Sequence, residues 1–228
     1  MRPEWEIPAD DFWTRFSPDR FNHGLRLPNL NTVQVILPLR DMKEVESIVP
    51  MRRNTLAYFI SRITTLDGQP VFADNEIEML KLDPRLLKIG QKFAYRENYV
   101  YLLESVTDIF DEFMITGGLG ELGAFFAFGR DENERKCMAL YIPPIIEQHG
   151  ADLVIMDGIH RDYIIKNTGM VINAVVVKNV TTPFPCSFHT WDELVVISLN
   201  EKPKDINERY FDLRKNLFRD LKFLGIDG

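Results

Sequence analysis

Leu153-Val154-Ile155-Met156 runs without a break into Asp157-Gly158-Ile159-His160-Arg161, and no other stretch restricts the fold as much. An apolar run that ends on Asp-Gly predicts a strand closed by a tight turn. Asp162-Tyr163-Ile164-Ile165-Lys166-Asn167-Thr168-Gly169 then reads as a short helix with a glycine stop, and Val171 to Val177 as a second strand. Asp157, His160 and Arg161 therefore fall at a strand end and on the first turn of a helix. That turn leaves backbone N–H groups unpaired and carries the positive end of the helix dipole. With a glycine that admits a ligand, an imidazole and a guanidinium, the result is a phosphate site. A plainer reading stands beside it: Asp157 as a turn residue, His160 as a satisfied core histidine, Arg161 paired with a carboxylate.

The run LVIMDGIHRDYIIKNTGMVINAVVV resembles the Asp-Gly-X-His-Arg segment of the ParB/sulfiredoxin superfamily. The likeness extends backwards. Ile77 to Pro84 is similar to the first strand of such a domain with its Leu-Asp-Pro ending. Gly90-Gln91, Arg96-Glu97 and Leu102-Leu103-Glu104-Ser105-Val106 resemble the following loop and helix. Tyr141 to Ile146 resembles the strand before the hairpin into the motif. The resemblance covers roughly 77–180. It implies an α+β protein whose core, 75–200, is a small mixed sheet with flanking helices. An accessory segment (1–74), an insertion near 114–136 and a C-terminal helix (201–228) complete the expected organisation.

The resemblance also implies roles. Gly158, Ile159, His160 and Arg161 would hold phosphate oxygens, and Asp157 would orient His160, coordinate a metal ion or act as a base. The ParB-like amino-acid kinases carry a catalytic glutamate beside a glutamine. Here the residue beside Gln91 is Gly90, and Glu97 is the nearest carboxylate to take that role. The implied catalytic set is Asp157, His160 and Glu97, and the binding set is Gly158, Ile159, His160, Arg161 and Gln91. The implied ligand is a nucleotide, with Mg²⁺, or a phosphorylated small molecule. The implied activity is phosphotransfer or phosphohydrolysis. Two other readings stay open: a nucleic-acid-associated ParB-like nuclease or DNA binder, and a non-catalytic interaction module. Sulfiredoxin-like thiol chemistry is not expected, because Ile159 stands where those enzymes have cysteine. A partition clamp is not expected either, because no helix-turn-helix follows the core.

A formal net charge of −7 and a pI of about 5.2 argue against a surface built for nucleic acid. The two cysteines, Cys137 and Cys186, point to reduced thiols in a cytoplasmic protein. No run reaches the roughly 20 apolar residues of a membrane span. A homo-oligomer built through the last helix is a further expectation. Four histidines and two cysteines show no zinc spacing.

Along the rest of the chain, Phe12, Trp13 and Phe16 predict a short N-terminal helix packed on the body. Thr32–Leu37 reads as a strand, Asp41–Val49 as a short helix stopped by Pro50, and Thr55–Ile63 as β-prone. Tyr99–Phe113 reads as an amphipathic helix and Thr116–Gly123 as a glycine-rich linker. Met138–Glu147 and Asp152–Met156 read as a hairpin with His149 exposed at its tip. Cys186 and His189, three residues apart, have the spacing of an activated thiol or of a loop coincidence. Phe188 or Trp191 is a candidate platform for a base. Leu194–Leu199 reads as a strand, and Pro203 opens the last helix.

Overall fold

The computed structural model describes residues 6–21, 27–98 and 123–224. The expected helix at Tyr99–Phe113 and the glycine-rich stretch up to residue 122 lie outside them. In chain order the first elements are β1 (Ile7–Pro8), α1 (Ala9–Arg15), β2 (Val35–Ile36), β3 (Met42–Pro50), α2 (Arg53–Ser61), β4 (Thr64–Thr65), β5 (Ile77–Leu82) and β6 (Phe93–Tyr95). There follow β7 (Phe125–Asp131), β8 (Lys136–Tyr141), β9 (Ile145–His149), β10 (Asp152–Asp157), α3 (Ile159–Thr168), β11 (Ile172–Val177), β12 (Val195–Ile197) and α4 (Ile206–Arg209). The protein is α+β, with several small sheets and few helices. Among the described residues no helix is long and apolar enough to cross a membrane.

The chain forms two compact units. Among the described residues, the first combines those up to 60, 123–142 and 220 onwards; the second combines 61–98 and 143–219. The boundary expected near residue 75 falls at Ile60. The stretch expected as an insertion into the core supplies β7 and the start of β8 to the first unit instead.

The first unit holds a five-stranded sheet in the order β1-β2-β8-β7-β3. Its core is aromatic: Phe12, Phe16, Phe21, Phe59 and Phe126 are buried, with Phe12 and Phe16 centroids 4.8 Å apart and Phe21 and Phe126 5.4 Å apart. The N-terminal helix is formed as expected from its aromatic spacing. Two neighbouring expectations are reversed. Asp41–Val49 is not a helix, because Val45, Ile48 and Val49 belong to β3, which pairs antiparallel with β7. Thr55–Ile63 is not a strand: Thr55, Leu56, Phe59 and Ile60 are the buried face of α2, at helical spacing. The β-propensity of Tyr58, Phe59 and Ile60 yields there to burial of one helical stripe. Gly129 is required in β7, since a Cβ at that position would lie 1.8 Å from the Glu44 carbonyl oxygen.

The second unit holds a four-stranded mixed sheet, β10-β9-β11-β5. β9 and β10 form the expected hairpin, turning at Gly150 (φ 63°). Pro143-Pro144 separates β8 from β9, so Met138–Glu147 is two strands rather than one. β11 runs parallel to β9 and antiparallel to β5. The buried side chains of this sheet include Ile146, Ile155, Ala174 and Val176, joined by Leu87, Ile89, Ile159 and Trp191. β12 pairs in parallel with β6.

Among the described residues the long C-terminal helix expected from Pro203 is not formed; α4 spans four residues. Beyond it the backbone forms short turns at Lys215–Leu217 and Lys222–Leu224, and elsewhere bonds to other loops. Phe211 N–H donates to the Gly90 carbonyl, and Arg214 N–H to that of Pro185, while Asp212 takes a φ of 47°. Tyr210 and Leu213 pack on Val154, Phe184 and Cys186, and Phe211 joins the sheet cluster. The apolar spacing read as helical serves two separate clusters of an irregular segment.

Candidate functional site

The Asp157 turn is built by three local features. A register shift between Ile155 and Asp157 bulges β10 against β9 and turns its last residue. Gly158 follows at φ 94°, ψ 21°, a left-handed conformation that costs glycine nothing. A Cβ there would also meet Pro144, whose Cβ is 2.8 Å from its ideal position. α3 then starts at Ile159 and stops at Gly169, itself at φ 72°. Strand, turn, helix and strand thus follow the expected order.

The head of α3 is closed. Ile159, His160, Arg161 and Asp162 are all buried. Arg161 Nη2 donates to Asp157 Oδ2 at 3.0 Å, an i,i+4 ion pair with both partners buried. Burial raises the Asp157 pKa above the ordinary carboxylate range, opposed by the Arg161 charge and by the Gly158 N–H. His160 accepts the Tyr95 backbone N–H on Nε2 at 3.0 Å. Its ring proton therefore sits on Nδ1. Burial, and then the charges of Arg161 and Lys202, push its pKa down to about 4, so the imidazole is neutral near pH 7. A cationic His160 gripping phosphate does not fit this geometry. The plain reading of the motif, a satisfied histidine and an arginine paired with a carboxylate, describes the turn as it stands.

Two predicted residues are not hydrogen-bonded to the turn. Gln91 donates from Nε2 to the Phe93 carbonyl at 2.5 Å and sits in a β-bridge with Tyr210. Glu97 is exposed and accepts from Ser198 Oγ at 2.6 Å and from the Leu199 N–H at 2.7 Å. Those bonds, the Ser198 hydroxyl first, hold its pKa low. Glu97 ties down the Ser198 loop. It is two residues from Tyr95, whose N–H fixes His160, and that is its link to the motif.

Asp162 was not among the expected site residues. It is fully buried, and neither carboxyl oxygen has a hydrogen-bond partner. Burial drives its pKa far up, Asp157 adds to this and Arg161 opposes it. The spacing to Ile165 on the same helix face was the available signal. Tyr95 had no such signal, because it acts through its backbone. Its ring lies 5.8 Å from that of His160, and its buried hydroxyl also lacks a partner.

Other candidates resolve into structure. Burial pushes the Cys186 thiol up to about 12, and His189 instead meets Glu193 at 2.7 Å and stacks on Phe211 at 3.7 Å. Trp191 is buried and donates to the Pro84 carbonyl at 2.7 Å, so it is no platform for a base. His149 is not an exposed tip; its Nε2 lies 2.8 Å from Oε2 of the buried Glu147. Among the described residues no three His, Cys, Asp or Glu side chains cluster to hold a metal ion. Compared with models of protein families, with curated proteins and with solved structures, the chain has no match.

Proposed function

We propose that the second unit is a ParB/sulfiredoxin-like core and that the head of α3 binds a phosphate group, carried by a nucleotide or a phosphorylated small molecule. One observation carries this reading. A buried arginine stands on the first turn of a ten-residue helix that opens, through a left-handed glycine, directly from a strand. First-turn N–H groups and a guanidinium are a combination that recognises tetrahedral oxyanions. The pairing of β5, which ends at Leu82 and leads into Asp83-Pro84, with the valine-rich β11 supports the family reading. The ligand would draw Arg161 from Asp157. Asp157 would then be the carboxylate beside the phosphate, and the neutral His160 would offer its Nδ1–H. Phosphoryl transfer or phosphate hydrolysis is the chemistry these groups suit, since both consist mostly of positioning and charge neutralisation.

The closure of Arg161 on Asp157 and of His160 on the Tyr95 N–H favours a second reading, a non-catalytic module that keeps the turn for its fold. A thermal-shift screen separates the two. ATP, ADP, CTP, GTP and inorganic phosphate are tested with and without Mg²⁺ on the wild type and on Arg161→Lys, which keeps the charge but loses the fork. A ligand at about 100 times its Kd adds roughly 2.7 kcal/mol of stability. A shift in the wild type that shrinks in the variant supports the phosphate site. No shift with any ligand leaves the structural module.

A further inference from the structure

The head of α3 sets two buried carboxyl groups against one guanidinium. Asp157 is 8% exposed, Arg161 3% and Asp162 0%. Asp157 holds the guanidinium, and Asp162 has no donor at all. An ionised carboxylate buried without donor or counter-ion costs several kcal/mol, so Asp162 keeps its proton. Among the described residues the head then holds an Asp157 carboxylate, an Arg161 guanidinium and an Asp162 carboxylic acid.

Among the described residues the surroundings offer Asp157 no second cation. The turn Pro84–Leu86 and β6 pack on α3. Beside the first is the exposed Asp83–Arg85 pair, closed on itself at 2.6 Å. The second brings Tyr95, whose phenol burial pushes up, with the Lys202 amine 5.1 Å over its ring. On α3 itself His160 is neutral, and Lys166 lies in the last turn. Tyr210, also near Asp157, is pushed further into its neutral form by burial. The groups that favour the Asp157 charge are Arg161 and the Gly158 N–H.

We infer that oxyanion binding at this site, which rests on the phosphate reading above, is coupled to proton uptake: an anion that takes Arg161 leaves Asp157 buried without its counter-ion, and Asp157 takes a proton from solvent. The balance is simple. One dianion enters, one ion pair opens, and one proton moves from water to the Asp157 carboxylate, so the head exchanges one negative partner of Arg161 for another. Affinity for a tetrahedral dianion therefore rises as pH falls, by up to about tenfold per pH unit where uptake is complete.

Titration calorimetry of the full chain with sulfate tests this. Sulfate holds no proton near neutrality, so any proton taken up goes to the protein. The titration is run between pH 7 and 8 in buffers of different ionisation enthalpy. The expected result is uptake approaching one proton per sulfate, with affinity falling as pH rises. In Asp157→Asn, sulfate binding of whatever affinity should carry no proton uptake and no pH slope. Wild-type binding with no buffer dependence overturns the coupling and leaves the phosphate reading standing; uptake that persists in Asp157→Asn also overturns it. No sulfate binding at any pH overturns both. Should Asp157→Asn not fold, the wild-type buffer series alone decides.

Discussion

The backbone N–H of Tyr95 donates to Nε2 of His160 at 3.0 Å across 65 positions of chain. This bond fixes the imidazole tautomer and ties β6 to the head of α3. Burial of the ring, with the charges of Arg161 and Lys202, also makes the protein sensitive to acid. The folded pKa of His160 is about 4 against an ordinary 6.5. Between those values the unfolded chain binds more protons than the folded one, so stability rises with pH. The contribution is fully present above about pH 6.5 and is lost as pH falls through 4, to the extent of about 3 kcal/mol. His160→Gln, which keeps an acceptor but cannot titrate, should flatten that limb. Urea unfolding at pH 4.5, 5.5 and 6.5 measures it, and an unchanged slope in the variant would refute the assignment.

Asp162 acts with the opposite sign. Its folded pKa lies well above the ordinary 3.8, so the folded state holds a proton that the unfolded state releases. Its contribution makes stability fall as pH rises from about 3.8 towards the raised value, by up to about 1.4 kcal/mol per pH unit. Asp162→Asn should remove this slope, so that the variant gains on the wild type as pH increases. Parallel profiles for the two proteins would show that Asp162 does not keep its proton.

Gly158 and Gly169 bracket α3 and separate two costs of substitution. Both have positive φ, but a Cβ at Gly158 meets Pro144 within 3 Å while one at Gly169 meets nothing within 4 Å. Gly169→Ala should cost about 1–2 kcal/mol, from the left-handed backbone alone. Gly158→Ala should cost that and a steric displacement of roughly 1–3 kcal/mol more. Denaturant midpoints at equal m-values test the ranking, and equal losses would contradict the packing of Pro144.

Arg219 and Glu147 form a buried ion pair, with Nη2 to Oε2 at 2.7 Å and Nε to Oε1 at 2.9 Å. Arg219 also donates to the carbonyls of Thr182, Pro183 and Leu217. Arg219→Ala would leave the fully buried Glu147 carboxylate to the His149 imidazole, without a guanidinium, and is expected to cost about 3–5 kcal/mol. Glu147→Gln should cost less, because the amide oxygen still accepts from the guanidinium. A loss under 1 kcal/mol for Arg219→Ala would show that the pair is dispensable.

The turn at Asp157 was legible because each of its signals is local: Asp-Gly after an apolar run, a glycine stop at Gly169 and a valine-rich return strand. The state of its side chains was not. Whether Arg161 faces a ligand or Asp157 depends on burial, and the Tyr95 contact to His160 involves a backbone group that no side-chain pattern announces. β3 and α2 were misread for a related reason. Tyr58-Phe59-Ile60 has high β-propensity, but it buries one helical stripe in the aromatic core of Phe12 and Phe16. The C-terminal spacing misled because Phe211 and Tyr210 serve different clusters, which the apolar count cannot distinguish.

The alternation of the two units along the chain bears on how the protein is made. The second unit draws on residues up to 219, and the first completes itself with those from 220 onwards. During synthesis from the ribosome, the five-stranded sheet waits for β7 and β8, which emerge only after β4, β5 and β6. The β5 strand in turn waits, unpaired, for β11 to appear almost a hundred residues later. An exposed strand held in that state is a natural client for a chaperone. Exchanging either unit between proteins would require several joins, since no single junction separates them.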